Sequence, residues 1–283
     1  MPMDIVRSIG DLRARIAGWR AEGLTVGLVP TMGGLHAGHL SLVTLAGERA
    51  DRVVATLFVN PTQFAPTEDF DSYPRNEDAD ASLFEGAGAH LMFAPTPDVM
   101  YPKGHMTKVR VDGLGDVLEG EFRPHFFEGV ATVVAKLLLQ SLPDVAVFGE
   151  KDYQQLCVIR AMARDLDIPV TILGGETVRE ADGLAMSSRN TYLSEAERAI
   201  APKLNEVLRF VADVASDATG DADAATETAA AELLAAGFKS VDYIAVRDAE
   251  TLQPLTDPAR PARVLGAAWL GKTRLIDNIA VSG

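Results

Sequence analysis

The chain has 283 residues, 47% hydrophobic and 23% charged, enough for two domains of ordinary size, each with its own core. A formal net charge of −14 argues against nucleic acid or an anionic membrane as partner, and no apolar run approaches the ~20 residues that cross a bilayer. One cysteine, Cys157, excludes an intrachain disulfide and a cysteine-based metal site, and a cytoplasmic location is expected.

In chain order, Ile5, Ile9, Leu12, Ile16 and Trp19 have the spacing of an amphipathic helix, and the first residues lack the apolar core of a signal peptide. Apolar, β-rich runs follow at 25–30, 52–60, 90–94, 146–149 and 169–173. Helical patterns lie between them at about 38–50, 76–86, 126–141 and 152–166. Strands alternating with helices predict an α/β fold: a Rossmann-like parallel sheet over residues 1–176. Ligands of such sheets sit beyond the carboxyl ends of the strands. Residues 194–214 predict a helix opened by a capping box, Ser194 with Glu197. Residues 216–236 read as a loop and then an Ala-rich surface helix, and three strand-like runs follow at 241–246, 263–269 and 273–280. Residues 177–283 are therefore expected to form a smaller α+β domain, a lid associated with dimer formation.

Four polar clusters fall at the ends of these runs. The first is PTMGGLHAGHL, residues 30–40, with Met32, Gly33, Gly34, Leu35, His36, Ala37, Gly38 and His39. Two glycines make a tight turn and a helix begins near Gly38, so backbone N–H groups there favour an anion. His36 and His39, three apart, share a helical face and can donate hydrogen bonds to phosphoryl oxygens or bear positive charge. Taken alone, such a pair is as easily two surface histidines or half a metal site; its place after the glycines at a strand-to-helix turn favours the anion.

The second cluster is FVNPTQF, where Asn60 and Gln63 offer amides to a carboxylate, a hydroxyl or an amine. The third is Gly149, Glu150, Lys151, Asp152 and, one turn into the next helix, Gln155. Lys151 is a point charge suited to phosphate, and Asp152 can cap the helix, hold a ribose hydroxyl or meet a metal-bound water. The fourth runs from Val178 to Asn190 and carries Met186, Ser187, Ser188 and Arg189, two hydroxyls and a guanidinium fork suited to a triphosphate at a domain boundary. Cys157, His90 and His105 belong to none of these and read as structural. The chain lacks GxGxxG after its first strand, which argues against a nicotinamide dehydrogenase, and lacks GxxxxGK[ST], so it is not a P-loop enzyme.

HAGH is an instance of the HxGH motif of the nucleotidyl-transfer α/β superfamily, and MSSR resembles the KMSKS-like loop of that superfamily. The longer string PTMGGLHAGHL, with FVNPTQF, Glu68-Asp69-Phe70, Tyr73-Pro74-Arg75, GEKD before QQL, RPHFFEGVATVVAK at 123–136 and GKTRLIDNI at 271–279, resembles the pantothenate synthetase family. Two departures stand out: Ala65 replaces a usual glycine, and Arg123-Pro124-His125-Phe126-Phe127 lacks the glycine of the family's RPGHF, so no catalytic role is assigned to His125.

The resemblance implies an AMP-forming ligase that joins pantoate to the amine of β-alanine through a pantoyl-adenylate. It implies ATP as substrate, Mg²⁺ on the phosphates, no protein metal site and a homodimer. It carries ATP contacts onto Met32, Gly33, Gly34, Leu35, His36, Ala37, Gly38, His39, Gly149, Glu150, Lys151, Asp152, Val178, Met186, Ser187, Ser188 and Arg189, and a proton donor onto His39. Gln63 and Gln155 match pantoate contacts, and Gln63 also a β-alanine contact; Asn60 joins them as a candidate. His36, His39, Lys151, Ser187, Ser188 and Arg189 are then the groups available to stabilise developing phosphoryl charge. A nucleotidylyltransferase shares HxGH but needs basic residues for an acceptor phosphate where Asn60 and Gln63 stand. A non-catalytic nucleotide sensor does not need His39 or Lys151, and a tRNA synthetase needs a longer, less acidic chain.

Overall fold

The computed structural model describes residues 3–65, 68, 70–217 and 219–282, so Asp69 and Ala218 of the segments above lie outside the described residues. The amino-terminal part alternates β1 (Ile5–Val6), α1 (Ile9–Ala21), β2 (Val26–Thr31), α2 (Ala37–Gly47), β3 (Arg52–Leu57), α3 (Glu77–Ala87) and β4 (Leu91–Phe93). It continues through short helices α4 (Pro97–Met100) and α5 (Glu119–Phe122), then α6 (Phe126–Ser141), β5 (Val145–Gly149), α7 (Tyr153–Asp165) and β6 (Thr171–Gly175). The six strands form one sheet in the order β1-β4-β3-β2-β5-β6, and every pairing is parallel. Parallel strands need crossovers, which the helices supply while covering both faces. Val26, Leu28, Val54, Leu91 and Phe93 face one core with α1, α6 and α7; Val29, Val53, Ala55 and Met92 face another with α2 and α3.

The carboxyl-terminal part holds α8 (Glu195–Ile200), α9 (Lys203–Ser216), α10 (Ala222–Ala236) and an antiparallel sheet of β7 (Ser240–Asp248), β8 (Ala262–Leu270) and β9 (Thr273–Ala280). α9 and α10 pack on one face of this sheet around Leu204, Leu208, Val211 and Leu233. A small cluster of Leu118, Cys157, Ala245, Leu252 and Leu265 joins the sheet to α7. The Cys157 thiol is buried with Ala249 O at 3.7 Å, and burial pushes it up to about 11. No helix among the described residues is long and apolar enough to cross a membrane.

Two sequence expectations change. Ile5 does not begin a helix: Ile5 and Val6 extend the sheet beside Met92 and Phe93, and α1 starts after Ser8, whose hydroxyl accepts from Asp11 N. β-branched side chains suit an edge strand, and a serine cap sets the later start. The helix expected over 194–214 is two helices, because Pro202 stands at the junction and cannot donate to the helical ladder. The capping box of Ser194 and Glu197 forms in both directions.

Candidate active site

A cavity of about 830 Å³ opens at the carboxyl ends of β2, β3 and β5 and is walled on its far side by β7–β9 and the 178–190 loop. It gathers Met32, His36, Gly38, His39, Asn60, Gln63, Gly149, Lys151, Asp152, Gln155, Val178, Met186, Ser187, Ser188 and Arg189. Gly33, Gly34, Leu35, Ala37 and Glu150 stand behind this lining and shape the turns that present it.

After β2 the chain turns through Gly33 (φ 92°) and Gly34 (φ 64°), the left-handed region where a side chain is strained. A Cβ on Gly33 would also stand 2.8 Å from Leu57 Cδ1 and 2.9 Å from Asp80 Oδ2. Asp80, from α3, is buried and accepts from Gly34 N (3.1 Å) and Leu35 N (3.0 Å). α2 then begins with a reciprocal cap made of two imidazoles. His36 Nδ1 accepts from Gly38 N at 3.2 Å, and His39 Nδ1 accepts from His36 N at 3.3 Å.

An Nδ1 that accepts a backbone proton leaves the ring proton of a neutral imidazole on Nε2. Burial, reinforced by the charge of Lys151, lowers His36 to about 4. Burial and then the neighbouring His36 lower His39 to about 3, while Asp152 opposes both shifts weakly. Of the two options open from sequence, positive charge or hydrogen-bond donation, the geometry at neutral pH leaves donation from Nε2.

After β3, Asn60 is almost fully buried and saturated. Its Nδ2 donates to Gln63 Oε1 (3.0 Å) and Gly129 O (3.1 Å), while its Oδ1 accepts from Tyr101 (2.8 Å) and Thr62. With both donors taken, Asn60 has no N–H left for a ligand; it holds Gln63 by its Oε1, and Gln63 Nε2 lies 2.9 Å from Met32 Sδ. Gly129 lets α6 come this close, since a Cβ there would stand 2.5 Å from Thr62 O. Arg123 fixes the same turn: it donates to Gln63 O (3.2 Å), pairs with Glu68 at 2.7 Å and stacks 3.8 Å from the Phe126 ring centroid. His125 is exposed at the start of α6 without a side-chain cap bond and lies off the cavity lining.

After β5 a single 3₁₀ turn, Glu150–Asp152, carries Lys151 into the cavity; its Nζ lies 3.5 Å from Asp152 Oδ1. Gln154 is tied to Leu114 O, Val117 O and Glu119 N, whereas its neighbour Gln155 lines the cavity without a side-chain partner among the described residues. The 178–190 loop folds on itself through Met186 N to Val178 O (3.0 Å) and Arg179 pairing with Ala185. Ser187 Oγ caps the 3₁₀ turn Ser188–Tyr192 by accepting from Arg189 N, Ser188 Oγ meets the Tyr73 hydroxyl at 3.2 Å, and the Arg189 guanidinium lies 6.0 Å from the Tyr73 ring centroid.

Most other cations that line the cavity are neutralised. Arg274 donates to both oxygens of Glu119 at 2.7 Å and to Asp242 at 2.7 Å, and Arg123 is held by Glu68 and Glu119. Lys272, in the two-residue β8–β9 hairpin turn, reaches the cavity with no ion pair among the described residues. Sequence reasoning passed over Asp80, Arg274, Lys272, Asp277 and Asn278. Asp80 had one signal: it lies four residues before the fully buried Phe84, which places a carboxylate on the core face of α3. The last four lie in GKTRLIDNI, matched as a string without roles.

The amides at the α2 start, expected to favour an anion, are taken by Asp80 and the capping imidazoles, which leaves two imidazole donors, a lysine and a serine-rich loop around one cavity. A profile described as Pantoate-beta-alanine ligase matches residues 4–280. The chain belongs to the pantoate–β-alanine ligase family. It is 61% identical over 277 residues to the pantothenate synthetase of Paramagnetospirillum magneticum, covering 98% of this chain and 97% of the other. It is 57% identical over 281 residues to that of Rhodospirillum rubrum, covering 99% of each. The pantothenate synthetase of Thermus thermophilus superposes with a TM-score of 0.91 at 46% identity, over 99% of this chain and 100% of that one. The pantoate–β-alanine ligase of Francisella tularensis, whose crystal structure is described as complexed with beta-gamma ATP and β-alanine, superposes at 0.83 and 32% identity over 99% of each chain. As a member of this family the chain is an enzyme of the ligase class, with the α/β fold and small antiparallel carboxyl-terminal sheet of its solved relatives.

Proposed function

We propose that the chain uses ATP to join pantoate to β-alanine, giving pantothenate, AMP and pyrophosphate through a pantoyl-adenylate. Family membership over the whole chain supports the reaction; the observation that carries the residue roles is the pairing of two neutral imidazole donors with Lys151 at the α2 start. The pantoate carboxylate is a poor acyl donor because its leaving group would be oxide. Attack of that carboxylate on the α-phosphorus, with loss of pyrophosphate, makes AMP the leaving group.

The phosphoryl charge that builds in this step is met by Nε2–H of His36 and His39 and by Lys151. A neutral imidazole with its proton on Nε2 supplies a hydrogen bond rather than a proton. The role implied for His39 as proton donor is therefore refined to hydrogen-bond donor. Ser187, Ser188 and Arg189 hold the β- and γ-phosphates, and closure of their loop excludes water from the adenylate. Gln63, set by Asn60 and Arg123, and Gln155 hold pantoate, and Gln63 also receives β-alanine.

Mg²⁺ fits this donor set as an ion that rides on the phosphates. The Asp152 carboxylate is half-exposed with Lys151 as its side-chain partner, and among the described residues no three His, Cys, Asp or Glu side chains are grouped so as to hold a metal ion. An ion bound there would neutralise phosphate charge, and Asp152 would be the residue to hold it or its water. In the same proposal residues 1–176 carry the ATP and pantoate sites, residues 177–283 form the lid, and the enzyme works as a cytoplasmic homodimer.

The test is pyrophosphate release from ATP and Mg²⁺. Pantoate alone should give about one enzyme equivalent, since the adenylate stays bound, and β-alanine should make release continuous. A folded sample that binds ATP yet releases no pantoate-dependent pyrophosphate overturns the substrate assignment and favours a nucleotidylyltransferase.

A further inference from the structure

Successive side chains of a β-strand point to opposite faces of its sheet. On β9 this puts Asp277 and Asn278, both almost fully buried, against two different segments of the cavity wall. Asp277 faces the loop. It receives Arg179 as a bidentate fork (2.7 and 2.9 Å), and its remaining acceptor positions take Asn205 Nδ2 (3.1 Å) and Asn278 N (2.7 Å). Arg179 in turn donates to Gly183 O at 3.1 Å and pairs with Ala185, so the stem of the loop carrying Ser187, Ser188 and Arg189 is fixed to β9.

Asn278 faces the other way. Its Nδ2 donates to Glu150 O and Lys151 O, both at 2.9 Å, and its Oδ1 accepts from Arg263. Arg263 also pairs with Glu150 at 3.2 Å and stacks 3.8 Å from the Tyr153 ring centroid. The turn that carries Lys151 therefore hangs by its own carbonyls from the second sheet. All four acceptor positions of Asp277 and both donors of Asn278 are occupied, so neither side chain is available to a ligand.

We propose that Asp277 and Asn278 are positioning residues that set the Lys151 turn and the Ser187–Arg189 loop in register for one triphosphate; this rests on the ATP-site reading above. Two adjacent residues on one rigid strand tie both segments to the same frame, so displacement of β9 moves both phosphate contacts together.

The test is a double-mutant cycle read by calorimetric binding of a βγ-methylene ATP analogue with Mg²⁺ to the full chain. Asn278→Ala should weaken binding about tenfold in the native background and less than twofold in Lys151→Ala, because the lost positioning acts through Lys151. Asp277→Asn should behave likewise against Arg189→Ala. Losses that multiply in the double variants overturn the proposal and leave the ATP-site reading intact. A native chain that binds no analogue overturns both. Where Asn278→Ala does not fold, Asn278→Asp, which keeps the size and turns the donor into an acceptor, enters the same cycle under the same criteria.

Discussion

The two halves of the cavity proposed to meet phosphate are held in different ways. The Gly33–His39 turn is fixed from within the amino-terminal part: Asp80 of α3 takes its amides, and the rings of His36 and His39 accept from Gly38 N and His36 N. The Lys151 turn and the 178–190 loop are fixed from outside, by β9. The first half is therefore set by contacts within the amino-terminal part, whereas the second half requires the second sheet to be docked. On the proposed ATP site, a ligand that bridges them would bind well only with the two sheets in one relative position, which would make affinity for the triphosphate a reporter of that position.

Asp80→Asn should break the local half most severely. One of two oxygens facing backbone N–H groups becomes an NH₂, and a lost charge-assisted bond of about 1.5–3 kcal/mol corresponds to a tenfold or greater rise in KM for ATP. The comparison fails if pyrophosphate-release kinetics of that variant match the native chain. Binding through the remote half should survive, so Asp80→Asn combined with Asn278→Ala should multiply their separate losses.

A second effect, of intermediate size, belongs to the local half alone. His36 and His39 titrate in the native chain at about 4 and about 3, below the ordinary 6.5 they regain on unfolding. Between pH 6.5 and about 4 the unfolded chain binds protons that the native one does not, so stability is fully present above 6.5 and falls with acid. His36→Asn, whose side-chain oxygen can replace Nδ1 as the capping acceptor, should lose less melting temperature between pH 7 and pH 5 than the native chain. Equal slopes would show that the imidazoles are not buried neutral donors.

Lys272→Ala should have the smallest effect, about twofold in KM for ATP, because an exposed charge contributes roughly 0–1 kcal/mol. A tenfold rise in steady-state KM would mean that the second sheet reaches the triphosphate by its own charge as well as by placing other residues.

What was legible in the sequence follows the same division. The strands after residue 25, the helices between them and the polar residues just past β2, β3 and β5 could be read because periodicity and turn chemistry are local. The Gly33-Gly34 turn and the α2 start belong to this class. Asn60 was placed at the site, but its partners Gly129 and Tyr101 lie 69 and 41 residues away, and they make it a support for Gln63. Asp80, Asp277 and Asn278 were passed over for a related reason. Their partners lie 46, 98 and 128 residues away in sequence, and no pattern within one element encodes a contact between two. Pro202 divides α8 from α9 although the apolar spacing continues across it, so periodicity alone predicts one helix there.

The single cysteine has a practical consequence. A thiol reacts as its thiolate, and Cys157, buried with its titration pushed up to about 11, holds almost none at neutral pH. Maleimides and mild oxidants should leave the native chain untouched. A cysteine placed at an exposed site on β9 and another on α2 would then accept a pair of fluorophores without background labelling, and the distance between the two sheets could be followed in solution as nucleotide binds.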